Sequence, residues 1–587
     1  MKNLTGKIND LISHILLTPY YWYVNIKEIP QFVGKLKVHK PTNKEFLQQY
    51  RNWLIKKSRE GNVAQKKLNK KEWLPSFTIL CLIEDPQSQN WQKTSEAISK
   101  IDYPKFEVIL SSKKNLETSL QNTKLIYSGE STDVQRFNEL VHHTENDFVL
   151  FIKEGDILES HIFTLISKEI VDYPSVDVLY FDEGRVNNSG TKLSPNFKPQ
   201  WSPDLLLNKN YIGNGFVLRT SVFESSNGFD ISYKSSFKYD FILRATEHRT
   251  KISHISGVLL HTHTLNQYKN QLAEEKRAIE GSIKRRQIDV NLTVQDTRKR
   301  SFQTTYVCKS QPKVSIIIPS RDQASILEIC LSSIESQTSY KDYEIIIIDN
   351  GSTEASFFTC LDRWQDKLKD RLIVKQLSIP FNFSKLNNEA AKIANGEYLL
   401  FLNNDVEIIS PDWITTMVGQ AQNKSTGAIG VKLLFPNNKI QHAGIFLGVG
   451  GVASHPFSKE PSVHDHSYVN TSVNYSALTG ACLMVQKDLF FEVGGFDEGY
   501  VVEFNDLDLC LKIKQKGYHN IYLPQVELYH YESYSRGRKH KKLSSFLRYR
   551  QERQRFVNQW GDYVENDPSY NKYLNRDLDQ LFEPNLD

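Results

Sequence analysis

The sequence predicts an α/β fold repeated in tandem, each unit built on a mainly parallel central sheet. The first observation behind this is alternation. Short apolar runs at residues 77–83, 106–110, 148–152 and 176–181 are separated by helical patterns, and a second set follows at 314–319, 344–348, 372–376 and 398–402. Strands alternating with helices at such spacing imply crossover connections, which make neighbouring strands parallel. The second observation is self-similarity. Residues 106–110 match 343–347, 148–152 match 398–402, Phe229-Asp230 matches Phe496-Asp497, and 239–244 match 507–512, so one unit is read as a duplicate of the other. The third is size: 587 residues exceed a single core, and about 150 residues per domain implies two to four domains.

The elements follow in order. Residues 1–74 are an N-terminal helical region, in which 8–26 set Trp22 beside Tyr20, Tyr21 and Tyr23. That cluster suits an interfacial helix, and a helix capping the body is the plainer alternative. Residues 45–55 are helical in pattern, while the charged stretch 56–71 reads as an exposed helix or a linker. The first α/β unit covers 75–290 and ends in the charged, helix-prone stretch 270–286. Residues 291–312, with Arg298-Lys299-Arg300, read as an irregular linker. The second unit covers 313–560, with helices near 326–337 and 384–394, and a tail covers 561–587.

Composition narrows the function classes. Hydrophobic residues make up 39% and charged residues 24%, an ordinary globular balance. Lys and Arg number 73 against 68 Asp and Glu, a formal net charge of +5. Near balance at this length argues against a dedicated nucleic-acid binder and leaves only a local basic face for anionic lipid. Cys81, Cys308, Cys330, Cys360, Cys482 and Cys510 form no C-x-x-C pair, so buried free thiols in a reducing cytoplasm are expected. No apolar run reaches 18 residues, so no spanning helix is expected. The run at 11–17 is broken by Ser13 and His14, which does not fit a signal peptide. A G-x-x-x-x-G-K-[ST] loop is missing, which excludes a P-loop nucleotidase.

Two apolar strands of the second unit each run into acid. One is Glu344-Ile345-Ile346-Ile347-Ile348-Asp349, turning through Asn350-Gly351-Ser352; the other is Tyr398-Leu399-Leu400-Phe401-Leu402, leading into Asn403-Asn404-Asp405. Such strand ends border the crevice where open α/β sheets bind ligands. There Asp349 can accept from a pyrimidine N–H, or cap its own turn. Asp405 offers a hard oxygen for Mg²⁺ or Mn²⁺, or closes a strand-end turn. Asp506, in Glu503-Phe504-Asn505-Asp506-Leu507-Asp508, is a general base or one of the acids that commonly open a helix.

The segments Ile318-Pro319-Ser320-Arg321-Asp322, Ile348-Asp349-Asn350-Gly351-Ser352, Phe401-Leu402-Asn403-Asn404-Asp405 and Phe504-Asn505-Asp506-Leu507-Asp508 resemble the signature set of family 2 glycosyltransferases with the GT-A fold. Ile440-Gln441-His442-Ala443-Gly444 and Asp567-Pro568-Ser569-Tyr570-Asn571 fit the tandem-domain O-antigen, rhamnosyltransferase-like subgroup. The resemblance covers residues 75–575 and implies inverting transfer of a sugar from a nucleotide-diphosphate donor to a surface-glycan or lipid-linked hydroxyl. It implies that Pro319, Ser320, Arg321, Asp322, Asp349, Asn387, Asn403, Asn404 and Gly480 line the donor pocket. Asp405 and His530 would hold a divalent cation, Asn403 standing where the family's metal motif has an acid. Asp506 would be the base, with Asp508 a second choice, and Arg536, Arg538 and Lys539 would close over the diphosphate or form a solvated run. A cytoplasmic enzyme, peripheral on the inner membrane, is implied; a non-catalytic sugar- or nucleotide-binding scaffold is the competing class.

The first unit lacks the matching acids. Ser112 with Lys113 and Lys114 stands opposite Asp349, Lys153-Glu154-Gly155-Asp156 opposite the metal motif, and Phe237-Lys238 opposite Asn505-Asp506. Asp182-Glu183 and the patch 197–204 remain. Lysine at the metal and base positions predicts a catalytically dead module that docks the second unit, binds acceptor or fixes an oligomer. A weak transferase with rearranged ligands is the alternative.

Overall fold

The structure, a computed structural model, describes residues 42–68, 70–247, 250–263, 270–462, 466–531 and 543–586. The expected interfacial segment at 8–26 and the basic run at 533–542 lie outside the described residues. In the first domain the strands are β1 (Phe77–Ile83), β2 (Phe106–Ser112), β3 (Thr123–Tyr127), β4 (Phe148–Lys153), β5 (Ile157–Leu158), β6 (Val178–Val186), β7 (Lys192–Asn196), β8 (Phe216–Arg219) and β9 (Ile252–His263). A hairpin of β10 (Val290–Asp296) and β11 (Ser301–Tyr306) comes next. The second domain contains β12 (Val314–Ser320), β13 (Tyr343–Asp349), β14 (Leu372–Gln376), β15 (Tyr398–Leu402), β16 (Val406–Ile408), β17 (Thr426–Leu434), β18 (Ile440–His442), β19 (Phe446–Leu447), β20 (Ala453–Ser454), β21 (Cys482–Gln486) and β22 (His519–His530).

The duplication is visible in the topology. The first sheet runs β3-β2-β1-β4-β8-β6-β9-β5 and the second β14-β13-β12-β15-β21-β17-β22-β16, with β7 beside β6 and β18 beside β17. Position for position these are one arrangement, as expected of tandem GT-A-like domains. Every residue of β1 and of β13 is buried, the mark of central parallel strands covered on both faces. The sheets are parallel through β3-β2-β1-β4 but antiparallel at β4–β8 and β6–β8. Smaller details repeat as well. Asn138 brackets Phe229 through its backbone at 2.8 and 2.9 Å, and Asn388 brackets Phe496 at 2.9 and 3.0 Å.

One expectation needs correction, and one pair of alternatives is narrowed to its helical member. Residues 291–312 are not an irregular linker: most of the stretch is the β10–β11 hairpin, with Ser301, Phe302, Gln303 and Thr304 buried. Its polar residues face a protein interface, where Gln303 Nε2 donates to Ser472 Oγ at 3.0 Å and Thr304 N to Asn208 Oδ1 at 2.7 Å. Residues 45–55 and 56–68 form one helix, Asn43–Leu68, that buries Tyr50, Trp53 and Leu54. Trp53 meets Tyr573 edge-on at 5.1 Å, so this helix packs against the segment after residue 565.

The patch at 197–204 proves to be a grip between halves. Ser202 Oγ and the Asp204 amide both donate to Asn474 Oδ1 at 3.0 Å, and Asn474 Nδ2 donates to Asp204 Oδ2 at 2.7 Å. Asn571, in the tail, donates to both oxygens of Asp182 at 3.0 Å and to Lys198 O at 2.9 Å. All are buried, and buried polar groups persist only when paired. One apolar core also runs through both halves, from Phe137 and Tyr211 to Tyr475 and Tyr522. Among the described residues no helix is long and apolar enough to cross a membrane.

Candidate active site

The ends of β12, β13 and β15 lie side by side, because Val314 pairs with Tyr343 on one flank and Tyr398 on the other. Ser320 and Asp349 are register partners there. Asp349 is buried, and its Oδ1 accepts from the Ser352 amide at 2.9 Å and hydroxyl at 2.6 Å. The carboxylate therefore holds its own turn here, which Gly351 closes at φ +75°, a region glycine enters without Cβ strain. Asp322 accepts from the Thr353 and Glu354 amides at 2.7 and 3.0 Å, and donates its own amide to Ser352 Oγ at 2.8 Å. The Thr353 amide above all holds the Asp322 carboxyl below its ordinary range. The two loops expected to meet the nucleotide are thus stapled together. Pro319 is half-buried and Arg321 exposed at their rim. Asn387 is fully buried on the helix Phe383–Ile393; its Nδ2 donates to Phe383 O at 2.8 Å, and its Oδ1 has no hydrogen-bond partner among the described residues.

Asn404 Nδ2 donates to Ser320 Oγ at 3.1 Å, tying β15's tip to β12. Just beyond, β16 pairs with the end of β22, Val406 opposite His530. This pairing brings His530 Nε2 to 3.2 Å from Asp405 Oδ1 and 3.3 Å from Asn403 Nδ2. Both Asp405 and His530 are buried, and His530 Nδ1 has no partner among the described residues. Among the described residues no three His, Cys, Asp or Glu side chains are arranged to hold a metal unaided. A carboxylate, an imidazole and an amide oxygen nevertheless suit Mg²⁺ or Mn²⁺, which usually keep waters and take substrate phosphate oxygens. His442 and His455 stand close by, Nδ1 to Nδ1 at 2.9 Å. Burial, with His530 adding to it, holds His442 well below the usual imidazole range and His455 at about 4, so both rings are neutral at neutral pH.

Asp506 opens the helix Asn505–Gln515. Its Oδ2 accepts from the Gly480 amide at 2.7 Å and its Oδ1 from the Leu507 amide at 2.9 Å. Burial pushes the carboxyl up to about 6 against those amides, and the charge of Glu503 adds to the rise. Next to Gly480, Ala481 O accepts the Asn403 amide at 3.0 Å, so a single residue step links the Asp506 anchor to the tip of β15. Asp508 faces away. Its Oδ1 accepts from Gln559 Nε2 and Trp560 Nε1 at 3.0 Å each, and its Oδ2 pairs with Lys512 Nζ at 2.7 Å, which makes it an anchor for the C-terminal helix Leu543–Glu565. Sequence reasoning missed that helix. Arg548, Arg550, Arg553 and Arg555 make it look like a solvated face, and only the spacing of Glu552, Phe556 and Trp560 marks an inner side.

The equivalent region of the first domain is filled by cations. Lys238 is buried and donates to Phe151 O at 2.9 Å. Arg136, fully buried, lies across the ends of β1 and β2, donating to Ile83 O at 2.9 Å and Ser111 O at 2.6 Å and pairing with Glu84. Lys153 pairs with Asp133, Lys113 with Glu84, and Lys114 with Asp85.

Residues 315–446 match the family model "Glycosyl transferase family 2". The chain is 30% identical over 527 residues to an uncharacterised protein of Sinorhizobium fredii, covering 85% of this chain and 58% of that one. It is 32% identical over 424 residues to an O-antigen biosynthesis protein of Myxococcus xanthus, covering 70% of this chain and 33% of the relative. A rhamnosyltransferase of Escherichia coli matches at 24% over 250 residues, 37% of this chain and 83% of that one. The chain thus spans less than two thirds of the length of the first relative and about a third of the second. A mannosyltransferase of Pyrobaculum calidifontis, solved with GDP-Man and Mn²⁺, matches 46% of this chain and 68% of its own at 17% identity and a TM-score of 0.32, too slight a likeness to carry a ligand across. The matched residues run from β12 through the strand tips that hold Asp349 and Asp405, and the second domain is a family 2 glycosyltransferase domain.

Proposed function

We propose that the second domain is the working half of an inverting glycosyltransferase. It moves a sugar from a nucleotide-diphosphate donor to a hydroxyl of a bacterial surface glycan, free or lipid-linked. The observation that carries this reading is one run of contacts. Asp349 pairs in register with Ser320, Ser320 bonds Asn404, neighbouring Asn403 bonds Ala481, and Gly480 bonds Asp506. That run supports a donor side and an acceptor side on one sheet edge.

Asp349 positions the base, within the loop that Asp322 staples. Asp405 and His530 would hold Mg²⁺ or Mn²⁺, with Asn403 as a weaker neutral donor; such an ion neutralises charge on a departing diphosphate. Asp506 is ionised above about pH 6 and accepts the proton of the acceptor hydroxyl as its oxygen attacks the anomeric carbon. Inversion requires that carboxylate on the face opposite the leaving group. Burial enough to raise the carboxyl, yet amide bonds enough to keep it ionisable near neutrality, fit a general base. The first domain, with Lys238 at the base position, performs no transfer and serves as the second domain's docking partner. The enzyme works in the cytoplasm, against the inner membrane when its acceptor is lipid-linked.

Transfer from UDP-, dTDP- and GDP-sugars with Mn²⁺, comparing the unaltered chain with Asp506→Asn, tests this. Loss of about a hundred- to ten-thousandfold in turnover is expected, with nucleotide affinity kept. Retained turnover removes the base assignment. An unaltered chain that neither turns over nor binds any nucleotide is a glycan-assembly scaffold instead.

A further inference from the structure

The C-terminal helix carries no residue expected at the site, yet one of its carboxylates reaches the loop that delivers Asp506. Glu552 is 3% exposed and accepts from three successive backbone amides: Val501 at 3.2 Å, Val502 at 3.4 Å and Glu503 at 2.7 Å. Directly after them Phe504 takes φ +65°, a left-handed conformation that is unusual for a bulky side chain. Its ring stacks on Phe556 of the same helix at 5.1 Å and 25°. One turn further on, Gln559 and Trp560 hold Asp508. Asp506 is therefore flanked on both sides by contacts from a single helix. Hydrogen bonds to an ionised carboxylate are roughly twice as strong as neutral ones, and strained backbone persists where its surroundings over-determine it. Among the described residues its cationic partner is Arg548, whose Nε is 3.7 Å from Glu552 Oε1.

The first domain contains the same device. Its helix Gln271–Arg285 follows β9 in the chain as the C-terminal helix follows β22. From it, Glu274 accepts from the amides of Lys234 at 3.2 Å, Ser235 at 2.8 Å and Ser236 at 3.0 Å, immediately before the helix Phe237–Ala245. What the clamp delivers differs. Lys238 stands where Asp506 does, and Ser236 keeps an ordinary φ of −110° where Phe504 is left-handed.

We infer that Glu552 is a positioning residue for the transfer reaction: it fixes residues 501–504 so that Asp506 is presented to the acceptor, and Glu274 is its counterpart in the half that performs no transfer. This rests on Asp506 being the base.

The test uses the full chain in three forms, Glu552→Ala, Glu552→Gln and Glu274→Ala, measured for transfer kcat, acceptor KM, nucleotide Kd and Tm. Misplacing a catalytic group by about 1 Å costs on the order of a hundredfold. Glu552→Ala should lose kcat on that scale, and Glu552→Gln, which keeps one accepting oxygen, should lose less. Nucleotide Kd should move less than twofold in both. Glu274→Ala should lower Tm and leave kcat unchanged. The inference falls if folded Glu552→Gln has full kcat, if Glu274→Ala costs as much kcat as the Glu552 variants, or if nucleotide affinity falls in parallel. Should Glu552→Ala fail to fold, Glu552→Gln decides alone. Retained turnover in Asp506→Asn would remove the base reading itself, whereas a dead Asp506→Asn beside a full-rate Glu552→Gln removes only the role of Glu552.

Discussion

Transfer is expected to rise through about pH 6, because Asp506 must lose its proton before it can accept one. The carboxyl moves from an ordinary 3.8 to about 6, chiefly through burial. At 1.36 kcal/mol per pH unit, that is up to about 3 kcal/mol against the ionised form. The sign matters twice. For activity, kcat/KM should fall about tenfold per unit below the midpoint. For stability, a folded-state pKa raised above the unfolded one means that the contribution is fully present below 3.8 and lost as pH rises through about 6. Ionisation thus switches the site on and weakens the fold together. Asp506→Asn keeps the shape without the charge, so its Tm should exceed that of the unaltered chain above about pH 6 and converge with it in acid. Glu503 faces the same carboxyl and raises it, while the Gly480 and Leu507 amides lower it. A pH–rate profile and paired thermal melts from about pH 4 to pH 8 check both. A limb midpoint near 4, or a Tm difference that does not depend on pH, would refute the reasoning.

Two further outcomes follow from other parts of the molecule. Asp405→Asn removes the anion beside His530 and should abolish the Mn²⁺-dependent part of nucleotide-diphosphate affinity, read by calorimetry with and without the ion; affinity unchanged in both would place the cation elsewhere. Asn571→Ala leaves Asp182 and Lys198 O without their link to the tail, and should cost about 1–3 kcal/mol in denaturant unfolding.

Much of this molecule is legible in its sequence for a local reason. β12, β13 and β15 are continuous apolar runs that cannot be anything but buried, and their acids stand at strand ends that any parallel sheet places together. The duplication was readable because identical topology repeats similar patterns at similar spacing. What escaped depends on partners far along the chain. The hairpin β10–β11 is polar, and Gln303 and Thr304 are buried only because another surface covers them. Gly480 and Asp506 meet across 26 residues, and Glu552 is hidden among arginines, of which Arg548 alone approaches it, at 3.7 Å. Nothing in a run of charged helical residues says which one turns inward.

The cation-filled pocket of the first domain has a consequence for substitution. An aspartate at position 238 would lose the bond to Phe151 O and leave Asp156, already raised to about 6 by burial, without the cation that Lys238 supplies. Arg136 would still bar the strand ends. Placing a carboxylate there would therefore take compensating changes at several positions at once. The bonds of Asn474 to Asp204 and of Asn571 to Asp182 tie that half to the second domain, so deleting it would strip a buried polar face from the half proposed to work.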